Sequence, residues 1–177
     1  VVVLHGGVKD PTHRFGDTWE WNGSQWALRT TTGLGLRLGQ AMAFDSNRCR
    51  TVTFGGVDGS GTYMNDTWEW NGQAWALRST GSLGPRAAHT MGFDSNRCRT
   101  VLFGGNDAAG NYLNDTWEWD GNTWTQKCST CPPSPRHGAG MAFDSTRNVL
   151  LMFGGWVPLM NDTWKWDGTD WTQVTTT

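Results

Sequence analysis

The chain has 177 residues and a formal net charge of -2, from 14 Lys and Arg against 16 Asp and Glu. That balance gives no electrostatic reason to expect a nucleic acid or an anionic membrane as partner, and no apolar run approaches the roughly 18 residues of a membrane-spanning helix. The length suits one domain, and 24 glycines with 13 tryptophans point to many short strands joined by turns.

Taken in chain order, Val1–Gly7 (VVVLHGG) reads as a strand closed by a Gly-Gly doublet, and Asp17–Trp26 (DTWEWNGSQW) follows it. In the latter the indoles of Trp19 and Trp21 are two residues apart, so they share one face of a strand and Glu20 takes the other. Asn22-Gly23 predicts a tight reversal, after which Trp26 opens a second strand opposite Trp21. The same sequence returns at Asp66–Trp75, Asp115–Trp124 and Asp162–Trp171, with the first Asp recurring at intervals of 49, 49 and 47 residues. Twelve of the 13 tryptophans fall at three fixed positions in these copies; only Trp156 stands outside. A ligand site needs no fourfold reconstruction at a constant period. A supersecondary unit does, because alone it cannot bury its apolar face.

Between the tryptophan hairpins lie Gln40–Gly56, His89–Gly105 and Ala139–Gly155, each two apolar stretches around a polar turn beginning Asp-Ser and ending in Gly-Gly. One unit is therefore strand a (Met91, Phe93), strand b (Val101–Phe103), strand c (Thr116–Trp119) and strand d (from Trp124). The units divide the single domain 1–177 at about 1–29, 30–78, 79–127 and 128–177. The first begins at strand b and lacks strand a, giving fifteen strands in all.

This unit resembles a Kelch repeat. Arg86, Val101–Phe103, Gly104-Gly105, Trp119 and Trp124 follow that family's order of arginine, apolar strand, glycine doublet and spaced aromatics. The resemblance implies an all-β propeller of four-stranded antiparallel blades, of the kind found in the central domain of galactose oxidase. About four blades are seen here, the first without its inner strand. With no initiator Met, the segment reads as an excerpt or a processed product, and three arrangements stay open: part of a larger ring, pairing with a second copy that completes a ring, or closure on four blades.

In such a blade the b–c and d–a connections share one face, and it is there that the four copies differ. The b–c loops are Val8–Gly16, Val57–Asn65, Asn106–Asn114 and the shorter, apolar Trp156–Asn161. Binding candidates on that face are His13, Arg14, Tyr63, Tyr112, Trp156, Leu159 and Met160. For Trp156, Pro158, Leu159 and Met160 the first reading is packing against the next blade, with an interface hot spot second. Arg37, Arg86 and Arg136 recur just before strand a; they are candidates for an anion at the channel mouth, or for hydrogen bonding to blade carbonyls. The recurring Asp17, Asp66, Asp115 and Asp162 point to blade geometry ahead of a calcium site. Cys128 and Cys131 are a disulfide candidate, whereas Cys49 and Cys98, a whole repeat apart, are expected as free thiols. No metal ligand set, catalytic constellation or cofactor motif stands out.

The expected function is thus a non-catalytic interaction module, extracellular or at a cell surface and bacterial in style, that takes a protein or carbohydrate partner through its loop face. Nucleic acid and membrane insertion are not expected. A structural building block of an extracellular assembly, with self-association completing the ring, is the alternative. A Kelch-type copper oxidase ranks below both.

Overall fold

A computed structural model describes residues 1–10, 13–129 and 132–174. The described residues form no helix and seventeen strands. In chain order these are β1 (Val2–Asp10), β2 (His13–Trp21), β3 (Trp26–Thr30), β4 (Arg37–Leu38), β5 (Ala41–Asp45), β6 (Arg50–Phe54), β7 (Val57–Asp58), β8 (Asp66–Trp70) and β9 (Trp75–Thr80). The rest are β10 (Thr90–Asp94), β11 (Arg99–Asn106), β12 (Tyr112–Trp119), β13 (Trp124–Cys128), β14 (Gly140–Asp144), β15 (Val149–Phe153), β16 (Thr163–Trp166) and β17 (Trp171–Val174).

They assemble into four antiparallel sheets, each a simple meander: β1-β2-β3, β5-β6-β8-β9, β10-β11-β12-β13 and β14-β15-β16-β17. The first sheet has three strands, as the missing strand a requires. Beyond the fifteen expected strands, β4 and β7 pair as a two-stranded ribbon, with β4 against β1 and β2 of the first sheet. The strands β5, β10 and β14 at the start of successive sheets lie side by side, and among the described residues no strand of the first sheet pairs with one of the fourth.

Two turn types recur, each held by an acidic or amide side chain. Between strands a and b, Asp45 Oδ1 accepts from the amides of Asn47 and Arg48 at 3.0 and 3.1 Å, and Asp94 and Asp144 repeat the motif. Between strands c and d, Asn71 Oδ1 accepts from the amides of Gln73 and Ala74, both at 2.8 Å. This reversal is a four-residue loop rather than the two-residue turn that Asn-Gly suggests, because the asparagine side chain itself caps the loop amides. It still brings Trp70 and Trp75 opposite each other, with ring centroids 5.5 Å apart.

The glycine doublets do not end their strands in the first and third sheets. There β1 and β11 run on through the doublet with a register shift, between His5 and Gly7 and between Phe103 and Gly105. The b–c loops are accordingly shorter than the sequence reading has them: Val8 and Asp10 still pair with Arg14 and His13. A neighbouring backbone is what demands glycine. Gly104 has φ +65, and a Cβ there would lie 2.6 Å from the Arg136 carbonyl oxygen; Gly55 meets the Arg86 carbonyl at the same distance. The second glycine of each pair hydrogen-bonds that same carbonyl, from Gly56 N to Arg86 O and from Gly105 N to Arg136 O, both 2.9 Å.

The core consists of the contacts between successive sheets. Ala43, Val52 and Phe54 of the second sheet pack on Met91, Phe93, Leu102, Trp119 and Trp124 of the third. Val101 and Phe103 of the third then meet Leu150, Met152, Trp166 and Trp171 of the fourth. Because side chains alternate along strand c, each Thr-Trp-Glu-Trp sequence sends its threonine and glutamate toward the following sheet and its two indoles toward the preceding one.

Hydrogen bonds fix that junction three times. Trp70, Trp119 and Trp166 donate their indole N–H to Glu20, Glu69 and Glu118 of the preceding sheet, at 2.8, 3.2 and 3.2 Å. Trp75, Trp124 and Trp171 donate to Thr18, Thr67 and Thr116, at 2.8, 2.8 and 2.9 Å. The remaining indole of each copy stays at home: Trp19, Trp68, Trp117 and Trp164 donate to Asp17, Asp66, Asp115 and Asp162. In the second, third and fourth repeats the three indoles thus have three duties, two between sheets and one within.

Candidate functional site

The sequence candidates divide into two groups. Arg37, Arg86 and Arg136 are buried, at 4, 3 and 1 % exposure, and their guanidinium groups are engaged inside the fold. Arg86 holds Asp115 through two bonds of 2.6 and 2.8 Å and also donates to the Gly104 carbonyl at 3.1 Å. Arg37 repeats this with Asp66 and Gly55, and Arg136 with Asp162 and Gly154. Carbonyl bonding was one of the two expectations for these arginines. The paired aspartate is not legible in the sequence, and it takes up the guanidinium groups inside the fold. Burial pushes the Asp66 carboxyl up, but hydrogen bonds from Arg37 and Trp68 outweigh it and hold it below the usual range. Arg136 does the same for Asp162.

The second group lies in the b–c connections, and in the first three of these one side chain reaches the next repeat. Arg14 donates to the Asp58 carbonyl at 2.7 Å. Tyr63 accepts at its hydroxyl from Asn106 Nδ2 at 2.9 Å. Tyr112 stacks on His137, with centroids 5.2 Å apart and planes within 14°. His13 sits on the exposed hairpin tip with Asp10, 2.8 Å away.

Trp156 joins this row at the last step. Its amide donates to the His137 carbonyl at 2.9 Å, and its indole passes close to Gly138, where a Cβ would meet it at 3.2 Å. Tyr112, Trp156, Val157 and Leu159 are 41, 57, 42 and 76 % exposed, and Met160 at the loop's far end accepts a weak bond from Ser134. The stacked Tyr112–His137 pair thus adjoins the Trp156 loop, which pairs with His137 through the backbone. His137 is the member the sequence reading missed. Its neighbour Arg136 repeats in other units, but nothing in the sequence places it under Tyr112.

His89 is buried, and a hydrogen bond with the Phe54 backbone favours its charged form without outweighing that burial. It packs edge-on against the Phe54 ring, with centroids 5.6 Å apart. Burial, with the nearby Arg86 charge, lowers its pKa to about 3. The folded value lies below the ordinary 6.5, so as pH falls below 6.5 the unfolded chain takes up a proton that the folded chain refuses until about pH 3. Stability is expected to drop by about 2–3 kcal/mol from this group between pH 7 and 4.5. Gln40 occupies the equivalent place and donates to the His5 carbonyl at 2.9 Å. The H89Q variant should therefore flatten the acid limb of the denaturation curve; an unchanged limb would exonerate His89.

Cys49 and Cys98 are free thiols. Cys128 is disulfide-bonded, and its expected partner Cys131 lies outside the described residues. Among the described residues no three His, Cys, Asp or Glu side chains come together as a metal site, and no helix is long and apolar enough to cross a membrane. No protein-family model matches the chain, and no curated protein matches it.

Proposed function

We propose that the four sheets are blades of a Kelch-like β-propeller and that the chain is a non-catalytic interaction module, binding a protein or carbohydrate through its loop face. The meander order, the adjacent strands β5, β10 and β14, and the repeated arginine–glycine doublet geometry support the propeller reading. One observation carries the functional reading: the exposed cluster of Tyr112, Trp156, Val157 and Leu159 lies where the four repeats differ most. Rigid aromatic side chains around an apolar anchor are the usual centre of a binding surface. An extracellular setting is supported by the disulfide at Cys128.

Screening the chain against carbohydrate arrays and displayed peptide libraries supplies the ligand for the test. Replacing Tyr112, Trp156 and Leu159 by alanine together should weaken its binding by about a hundredfold. The melting temperature should stay close to that of the parent chain, since these side chains are largely solvent-facing. Tyr63 is a poorer choice, because its hydroxyl braces the next repeat. Unchanged affinity in the triple variant would sink the loop-face reading.

A further inference from the structure

One aromatic contact recurs at the junctions between sheets. A ring from strand b meets, edge to face, the indole that opens strand d of the next repeat: Phe54 with Trp124 and Phe103 with Trp171, with centroids 5.7 and 5.3 Å apart and planes at 72 and 71°. In the first junction His5 takes the place of the phenylalanine against Trp75, at 5.4 Å and 70°. The imidazole packs as the phenylalanines do, and it is buried, at 4 % exposure. It also makes bonds that a phenylalanine cannot.

Both ring nitrogens are engaged. Nε2 lies 2.9 Å from the Gly35 carbonyl oxygen, which can only accept, so Nε2 carries a proton. Nδ1 lies 2.8 Å from Thr18 Oγ1, and that hydroxyl oxygen already accepts the Trp75 indole N–H at 2.8 Å. In the neutral ring Nδ1 offers a lone pair, and the Thr18 hydroxyl donates to it. The bonds then run one way, from Trp75 to Thr18 to His5 to Gly35, with an acceptor for every proton. A second ring proton, on Nδ1, would meet the Thr18 oxygen together with the indole N–H and drive the hydroxyl proton off its acceptor.

We infer that His5 is a proton-sensitive latch: as the neutral Nε2–H tautomer it ties the first sheet to Trp75 of the second and to the loop between them, and proton uptake releases that junction. Burial, the largest influence on the ring, disfavours the imidazolium and holds the pKa below the ordinary 6.5; the Gly35 carbonyl and Asp17 of β2 favour the cation, and Arg37 of β4 opposes it. The other surroundings are neutral, since β9 presents Trp75 and the Thr31–Leu36 loop carries no charge. With the folded value depressed, the junction has its full strength above pH 6.5. Opening frees the ring to bind a proton, so it becomes easier as pH falls below that value. This inference rests on the first junction alone and stands apart from the loop-face reading.

Two measurements on the 177-residue chain test it. Imidazole nitrogen NMR at neutral pH should show His5 as the Nε2–H tautomer. Native-state hydrogen exchange should show the protection of β1–β3 falling, between neutral pH and about pH 5, at least about threefold further in the parent than in H5F, with no such difference in β14–β17. His89 is present in both proteins, so the difference belongs to His5. An Nδ1–H tautomer would overturn the inference, as would equal losses in the parent and H5F. So would a parent deficit spread evenly over all four sheets, which would make His5 a group of global stability and not a latch.

Discussion

Replacing Arg86 by methionine is expected to remove about 3–5 kcal/mol of stability, which in a chain of this size is a fall of roughly 10 °C in melting temperature. The arginine is 3 % exposed and its aspartate partner is buried with it. Among the described residues, its loss leaves the Asp115 carboxylate the Trp117 indole, 2.7 Å away, as side-chain donor. It also frees the Gly104 carbonyl that the guanidinium holds. Because the pair is shielded from solvent, the deficit should persist at high salt. Removing Asp115 as well, in R86M/D115L, should recover part of the loss, since the uncompensated charge goes with it. Thermal unfolding of the three proteins decides this; an R86M protein that melts with the parent would show that the pair contributes no net stability.

The second large effect is expected at Glu69. Its side chain, 1 % exposed, takes hydrogen bonds from Arg48 at 2.7 Å, Arg78 at 2.9 Å and the Trp119 indole of the next sheet at 3.2 Å. E69Q keeps the shape and removes the charge, leaving two guanidinium groups short of a carboxylate and costing about 3 kcal/mol. Arg78 is partly open to solvent, with 43 % of its side chain exposed. That places the estimate below the figure for Arg86. Denaturant unfolding of E69Q should show the loss as a lower midpoint with little change in slope.

These two sites also show where the sequence is informative and where it is silent. The period of the Thr-Trp-Glu-Trp copies, with side chains alternating along a strand, is enough to assign four sheets, the missing strand of the first and the opposite faces of indole and glutamate. What the glutamate touches is not in that pattern. Its indole partner comes from the following repeat, 50 residues on for Glu20 and Glu69, and only the stacking of sheets brings the two together. The arginine–aspartate pairs are hidden in the same way: each residue recurs visibly, but 29 residues separate Arg86 from Asp115. The first two pairs share a separation of 29 residues, and the shorter fourth b–c loop reduces it to 26 for Arg136 and Asp162.

The loop face was the least legible part. Tyr63 and Tyr112 stand at matching places in their loops, yet one hydrogen-bonds an asparagine and the other stacks on a histidine. Loop conformation decides such contacts, and no periodic pattern encodes it. The short strands β4 and β7 escaped for a related reason, since two residues are too few to carry an alternation.

Successive sheets are joined by indole N–H groups donated onto the preceding glutamate and threonine. A double-mutant cycle on E69Q and W119F measures this joint most directly, because phenylalanine keeps a ring in the junction and removes the donor. A coupling energy of about 1 kcal/mol or more between the two positions is the expected result. Strictly additive losses would contradict it, leaving the tryptophans as packing groups and the glutamates as partners of arginine alone.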